Sequence, residues 1–230
     1  MSLKISMNWY KISQSSNSDD FYFKAIEDRN MYIVSQMIHK AAKAAGFNIK
    51  SYHGSPQYGF TKFKDNPTYF SLDKKEAEVF QSSSASSIRA TQVPKGSISG
   101  VYSVFLKLGH TFDTRKSEHR DMFLQEFFNQ GGEEWQSNST PLTDKNLPDW
   151  TDGRDLVDWI IETKKTFDSI ILDEGSLPQI GDGIRWRGIS IVVWNSSQIK
   201  SADLITYDDF GKIIPLSRRF DSGNDIRGAV

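Results

Sequence analysis

Residues 68–80 read Thr-Tyr-Phe-Ser-Leu-Asp-Lys-Lys-Glu-Ala-Glu-Val-Phe, and the change of pattern inside this stretch decides the fold. Thr68–Ser71 is short, aromatic and β-prone, and predicts a strand. Asp73 predicts an N-cap, and Glu76 three residues later completes a capping-box-like pair for a helix through Phe80. Upstream, Met31, Val34, Met37, Ile38, Ala41, Ala42 and Ala45 recur at helical spacing, with Gly46 as the stop. A strand is expected around Ile49–His53, and Gly54, Pro56, Gly59 and Pro67 mark 54–67 as a loop. Downstream, 101–108 alternates as a strand. Ser117–Gln130 carries Phe123, Leu124, Phe127 and Phe128 on one helical face. Leu156, Val157, Ile160 and Ile161 form the stripe of another helix, and Ser169–Leu172 and Ile189–Trp194 are the strongest strands. Residues 11–20 read as a loose polar arm, 82–87 as a Ser-rich loop, 131–150 as an exposed excursion, and the chain after Ser201 as turn-rich. Helices and short strands that do not alternate regularly predict an α+β fold, not a doubly wound parallel sheet.

Composition narrows the chemistry. The 230 residues carry 28 Lys and Arg against 29 Asp and Glu, a formal charge of -1, which argues against broad, sequence-blind binding to nucleic acid or anionic membrane. With 37% hydrophobic and 25% charged residues the chain reads as a water-soluble globular protein. The absence of cysteine excludes disulfides, thiolate metal sites and a cysteine nucleophile. The first residues show no apolar core of a secretory signal, and no stretch approaches a membrane span, so a cytoplasmic setting without membrane contact is expected. The sequons at Asn138 and Asn195 then read as chance matches.

Several chemistries lack their residues. His39, His110 and His119 are isolated, so no metal is expected. Gly181-Asp182-Gly183 lacks the third glycine of a dinucleotide loop and reads as a turn. No phosphate-loop lysine motif and no G-x-S-x-G elbow is present. Glu133-Glu134 and Lys164-Lys165 read as solvated surface.

Three segments stand out in order: Ser51-Tyr52-His53-Gly54-Ser55; Thr68-Tyr69-Phe70-Ser71 followed by Lys74–Phe80; and Ile189–Ala202, which contains Gln198-Ile199-Lys200-Ser201-Ala202. Together they resemble the ADP-ribosyltransferase superfamily, in the His-Tyr-carboxylate branch of diphtheria-type toxins and poly-ADP-ribose polymerases. The likeness is strongest to the modules found in polyvalent proteins of phages and mobile elements. The tail through Ile214-Pro215-Leu216-Ser217 to Arg219-Phe220 also resembles that group, so the likeness runs over roughly 29–220.

The resemblance implies two small packed antiparallel or mixed sheets with flanking helices around an NAD cleft. It makes 1–28 an N-terminal arm, 29–220 the domain with 110–165 as a helical insertion, and 221–230 a tail. It implies His53, Tyr69 and Gln198 as catalytic residues, and His53, Gly54, Ser55, Tyr69, Phe70, Ser71 and Phe80 as the NAD contacts. Nicotinamide is flat, and cationic while attached to ribose, so two aromatic walls suit it. Tyr69 and Phe80 are those walls by resemblance, although many relatives carry Tyr where Phe80 stands. His53 would hydrogen-bond the nicotinamide-side ribose, and Gly54 would let the backbone approach the carboxamide.

Gln198 stands where the best-known enzymes of the branch carry Glu, while the mobile-element group itself tends to carry Gln. An amide keeps an acceptor oxygen but cannot offset the charge of an oxocarbenium-like transition state. The expected activity is therefore transfer of a single ADP-ribose from NAD to a macromolecule, by a phage or mobile-element effector in a host cytoplasm. Asp173 and Glu174 are the nearest candidates for the missing charge, with a plain strand-end turn as the simpler reading. Arg185 and Arg187 are candidates for pyrophosphate, and loops 56–67 and 174–187 for acceptor choice. The alternatives are an NAD- or ADP-ribose-binding module without transfer, and a structural or interaction protein. An RNA 2′-phosphotransferase relative fits poorly, because Tyr69 and Gln198 do not match its pattern.

Overall fold

The computed structural model of the chain describes residues 18–81, 98–129, 154–163, 166–173 and 188–229. Its elements are α1 (Ser18–Glu27), α2 (Met31–Ala44), β1 (Ile49–Ser55), β2 (Thr68–Ser71), α3 (Lys74–Val79), β3 (Gly100–Leu106), β4 (Thr111–Asp113), α4 (Ser117–Asn129), α5 (Arg154–Thr163), β5 (Ser169–Asp173), β6 (Ile189–Val193) and β7 (Ile199–Ser201). The class is α+β, as the irregular order of elements implies.

The strands form one seven-stranded sheet in the order β4-β5-β6-β2-β1-β3-β7. Only β4 and β5 run parallel; every other neighbouring pair is antiparallel. The expected pair of separate sheets is therefore corrected to a single ladder. Its middle is narrow: β1 and β2 share the one register pair Tyr52↔Ser71, whereas β1 and β3 pair along their whole length from Ile49↔Leu106 to Ser55↔Gly100.

The sheet curls strongly. β5 and β3 are four inter-strand steps apart, which would span roughly 19 Å in a flat sheet. Yet Gln198 Nε2 donates at 3.1 Å both to the carbonyl of Lys107, just past β3, and to that of Asp168, just before β5. Curling wraps the sheet around one apolar cluster fed by both halves: Phe70, Ile191 and Val193 from one side, and Tyr102, Val104 and Ile199 from the other.

Two further clusters cover the outer surface. On β4–β6, Ile170, Leu172 and Val192 pack with Phe123 of α4 and Val157 and Ile160 of α5. Of the expected helical insertion at 110–165, the described residues pack onto the sheet: β4 extends it, and α4 and α5 cover it. On the other half, Phe105 packs with Val34, Ile38 and Ala42 of α2, spaced one turn apart so that they fall on one face. Asn30 caps this helix by accepting from the backbone N–H of Ile33 at 3.2 Å.

The terminal segments are also structural. Ser18–Glu27 is a helix with Phe21, Tyr22 and Ala25 buried, so that part of the expected arm belongs to the fold. Asp19 accepts from the N–H and hydroxyl of Ser217, and Tyr22 donates to the carbonyl of Leu204 at 2.8 Å. Beyond 220, Ile226 enters the central cluster, and the buried ammonium of Lys200 donates to Asp221 and to the carbonyls of Gly223 and Asp225. The expected tail is therefore a clamp on β7. Residues 1–17, the Ser-rich 82–87 and the excursion at 131–150 lie outside the described residues.

Candidate functional site

The site grows from the alternation of β1. Successive side chains of a strand face opposite ways, so His53 and Gly54 lie on opposite faces of the sheet. The imidazole of His53 enters the concave side, where its ring lies 5.2 Å from Phe63, 5.5 Å from Phe70 and 6.5 Å from Tyr102. Its Nδ1 is 2.8 Å from the backbone carbonyl of Tyr69. A carbonyl only accepts, so Nδ1 carries the proton and Nε2 keeps a lone pair. Burial among these rings pushes the histidine pKa below its ordinary value, and the bond to Tyr69 opposes that shift.

Gly54 faces the opposite side, where α3 crosses it. An ideal Cβ on Gly54 would lie 1.8 Å from the carbonyl oxygen of Ala77 and 3.1 Å from Cβ of Phe80. Only a glycine lets strand and helix approach so closely. Tyr69 alternates with the core residue Phe70 on β2 and therefore also faces the α3 side. Tyr69 and Phe80 are 37% and 38% exposed, against 1% for Phe70. Tyr69 and the Cβ of Phe80 thus both lie on the α3 side of the sheet, with Gly54 at the contact between the elements that carry them.

Ser71 lies on that face too, two residues beyond Tyr69. Its hydroxyl donates to Glu76 Oε2 at 2.5 Å and accepts from the N–H of Asp73 at 2.9 Å. Asp73 caps α3 by accepting from the N–H of Lys75 at 2.8 Å. Glu76 does not close the expected capping box, because its carboxylate is taken by Ser71. Glu76 is the residue that motif reading passed over. Its one-turn spacing to Phe80 and its nearness to Ser71 were the available signals.

Other expected contacts fall elsewhere. Ser55 closes a local turn with Gln57, donating at 2.7 Å and accepting at 3.2 Å, and is buried. Phe70 packs under His53 inside the curled sheet, so neither side chain joins the ring pair. The largest correction is Gln198. It is 8% exposed in a short 3-10 turn, where its Oε1 accepts from the N–H of Asn195 while Nε2 holds Lys107 and Asp168. Lys107 lies five residues beyond Tyr102, the register partner of His53, so roughly 16 Å of strand separates the amide from the imidazole. The capping box of this turn takes the amide oxygen, and the two carbonyls take its nitrogen, so both ends are committed to the backbone.

Asp173 ends β5, and its charge acts on Arg115, which also grips Asp113 through two nitrogens. Glu174, Arg185, Arg187, Gly181-Asp182-Gly183 and the rest of 174–187 lie outside the described residues. His110 stacks on Phe167, and His119 Nδ1 accepts from the N–H of Asp113. Among the described residues no group of three or more His, Asp or Glu side chains is placed to hold a metal, and no helix is long and apolar enough to cross a membrane.

No family model matches the chain, and no curated protein or solved structure matches it.

Proposed function

We propose that the chain binds NAD, with the nicotinamide ring held by Tyr69 and Phe80 over the backbone at Gly54, and transfers a single ADP-ribose to a macromolecule. The observation that carries this reading is that Tyr69 and Phe80, both partly exposed, belong to the two elements that meet at Gly54, in a contact that only glycine permits. Two half-exposed aromatic walls suit a flat cationic ring. On the resemblance of the sequence alone, the reading extends to a phage or mobile-element effector acting in a host cytoplasm. His53 would act from the concave side, through Tyr69 and β1, as a positioning residue for the slot.

A second reading is binding of NAD or an ADP-ribose compound without transfer. The engagement of Gln198 with two backbone carbonyls favours it, since that amide is then not aimed at a ribose. Purified protein with labelled NAD and a cell lysate distinguishes the two. Transfer requires a labelled macromolecule with release of nicotinamide. Binding alone requires calorimetric affinity for NAD with neither product. Absence of any affinity for NAD would sink both.

A further inference from the structure

We propose that Glu76 makes the slot selective for a cationic, N-substituted pyridinium ring over a neutral ring of the same shape; this rests on the NAD reading above. Two elements bring the carboxylate to the ring pair. Ser71, which holds Glu76, is two residues along β2 from Tyr69, or about 7 Å. On α3, Glu76 is one helical turn before Phe80, a rise of about 6 Å.

Glu76 is fixed rather than free to wander. Ser71 donates to its Oε2, and the backbone of Gly188 closes over it, because a Cβ there would fall 2.2 Å from Oε2 and 2.4 Å from Oε1. Among the described residues its one hydrogen-bond partner is a neutral hydroxyl, and no Lys, Arg or His lies within ion-pair distance. The neighbouring cation Lys74 pairs instead with Glu78, at 3.7 Å. A half-buried carboxylate with no counter-charge among the described residues, on the helix that leads to Phe80 and bonded to the strand of Tyr69, is poised to attract a positive ring. A carboxamide-bearing pyridinium supplies the matching charge, and nicotinamide released from its sugar does not.

The test is calorimetric. The probes are N1-methylnicotinamide, which is cationic, and nicotinamide, which is neutral. Wild type should prefer the cation by about fivefold at low salt, the effect of opposite charges some 7 Å apart in a partly hydrated site. Raising the salt to about 0.5 M should shrink the preference, because exposed pairs are screened. Glu76→Gln should abolish the preference, since an amide oxygen still accepts from Ser71 but carries no charge. A preference that survives in Glu76→Gln, or that is insensitive to salt in wild type, overturns the proposal. The salt measurement needs no variant to fold. If wild type binds NAD but shows no preference between the probes, this proposal alone fails. If it binds neither NAD nor the probes, the NAD reading fails with it.

Discussion

Gly54→Ala adds one methyl group where β1 and α3 touch. The new carbon would lie 1.8 Å from the Ala77 carbonyl oxygen, 2.9 Å from its carbon and 3.1 Å from Phe80 Cβ. Relief to an ordinary contact of about 3.5 Å needs a movement of roughly 1.7 Å. The obstacle is helix backbone, not the end of a flexible side chain, so α3 must recede as a unit. Overpacking of this kind costs about 1–3 kcal/mol, and a backbone clash places it near 3. For a chain of this size each kcal/mol moves Tm by about 2–4 °C. Differential scanning calorimetry should therefore show a fall of roughly 6–12 °C. Because Phe80 rides on the displaced helix, one wall of the slot leaves its place. An aromatic contact is worth about 0.5–1.5 kcal/mol, so NAD affinity should fall by about tenfold. A variant with wild-type Tm and wild-type affinity would refute the steric argument and the location of the slot together.

Gln198→Glu replaces a donor with a second acceptor between the carbonyls of Lys107 and Asp168; it should destabilise by about 2–4 kcal/mol in chemical denaturation and fail to raise nicotinamide release. His53 supplies a pH effect of definite sign. Its pKa is lowered on folding, so the unfolded chain binds the extra proton first, and stability is full above the ordinary histidine pKa of about 6.5 and falls as the pH drops below it. His53→Gln should flatten urea midpoints between about pH 5 and 6.5 relative to wild type. Arg219 is fully buried and donates to the carbonyls of Leu204, Ser201 and Asp203. Arg219→Ala should cost about 3–5 kcal/mol, read by denaturant melts, with loosening of α1 seen as faster hydrogen exchange at Tyr22 and Ala25.

The elements with strong periodicity were legible in the sequence. Val34, Ile38 and Ala42 mark α2 without ambiguity, and the unbroken apolar run Ile191-Val192-Val193 suits a strand buried on both faces, with Ile191 and Val193 in one cluster and Val192 in another. Short edge elements were not legible. Thr111–Asp113 and Ile199–Ser201 have three residues each, too few for a period, and tertiary pairing alone makes them strands. Ser18–Glu27 opens with the polar Ser18-Asp19-Asp20, which continues the Ser-rich stretch before it and reads as part of an arm; contacts with residues 204–219, far away in sequence, make the segment a buried helix.

At the site, the sequence gives spacing but not direction. Adjacent letters His53 and Gly54 suggest a joint contact, yet the strand pleat sends them to opposite faces. The amide of Gln198 looks like a ribose ligand until its cap is seen. Glu76 reads as a helix-capping residue until Ser71 takes its carboxylate. Local chemistry predicts which groups are present; the curl of the sheet decides which of them meet.

The most direct test of the central claim is a crystal structure of the chain soaked with NAD. The account predicts the nicotinamide ring against Tyr69 and Phe80, its carboxamide at the Gly54 backbone, and Glu76 within one or two side-chain lengths of the ring nitrogen. NAD bound elsewhere, with that ring pair bare, would contradict it.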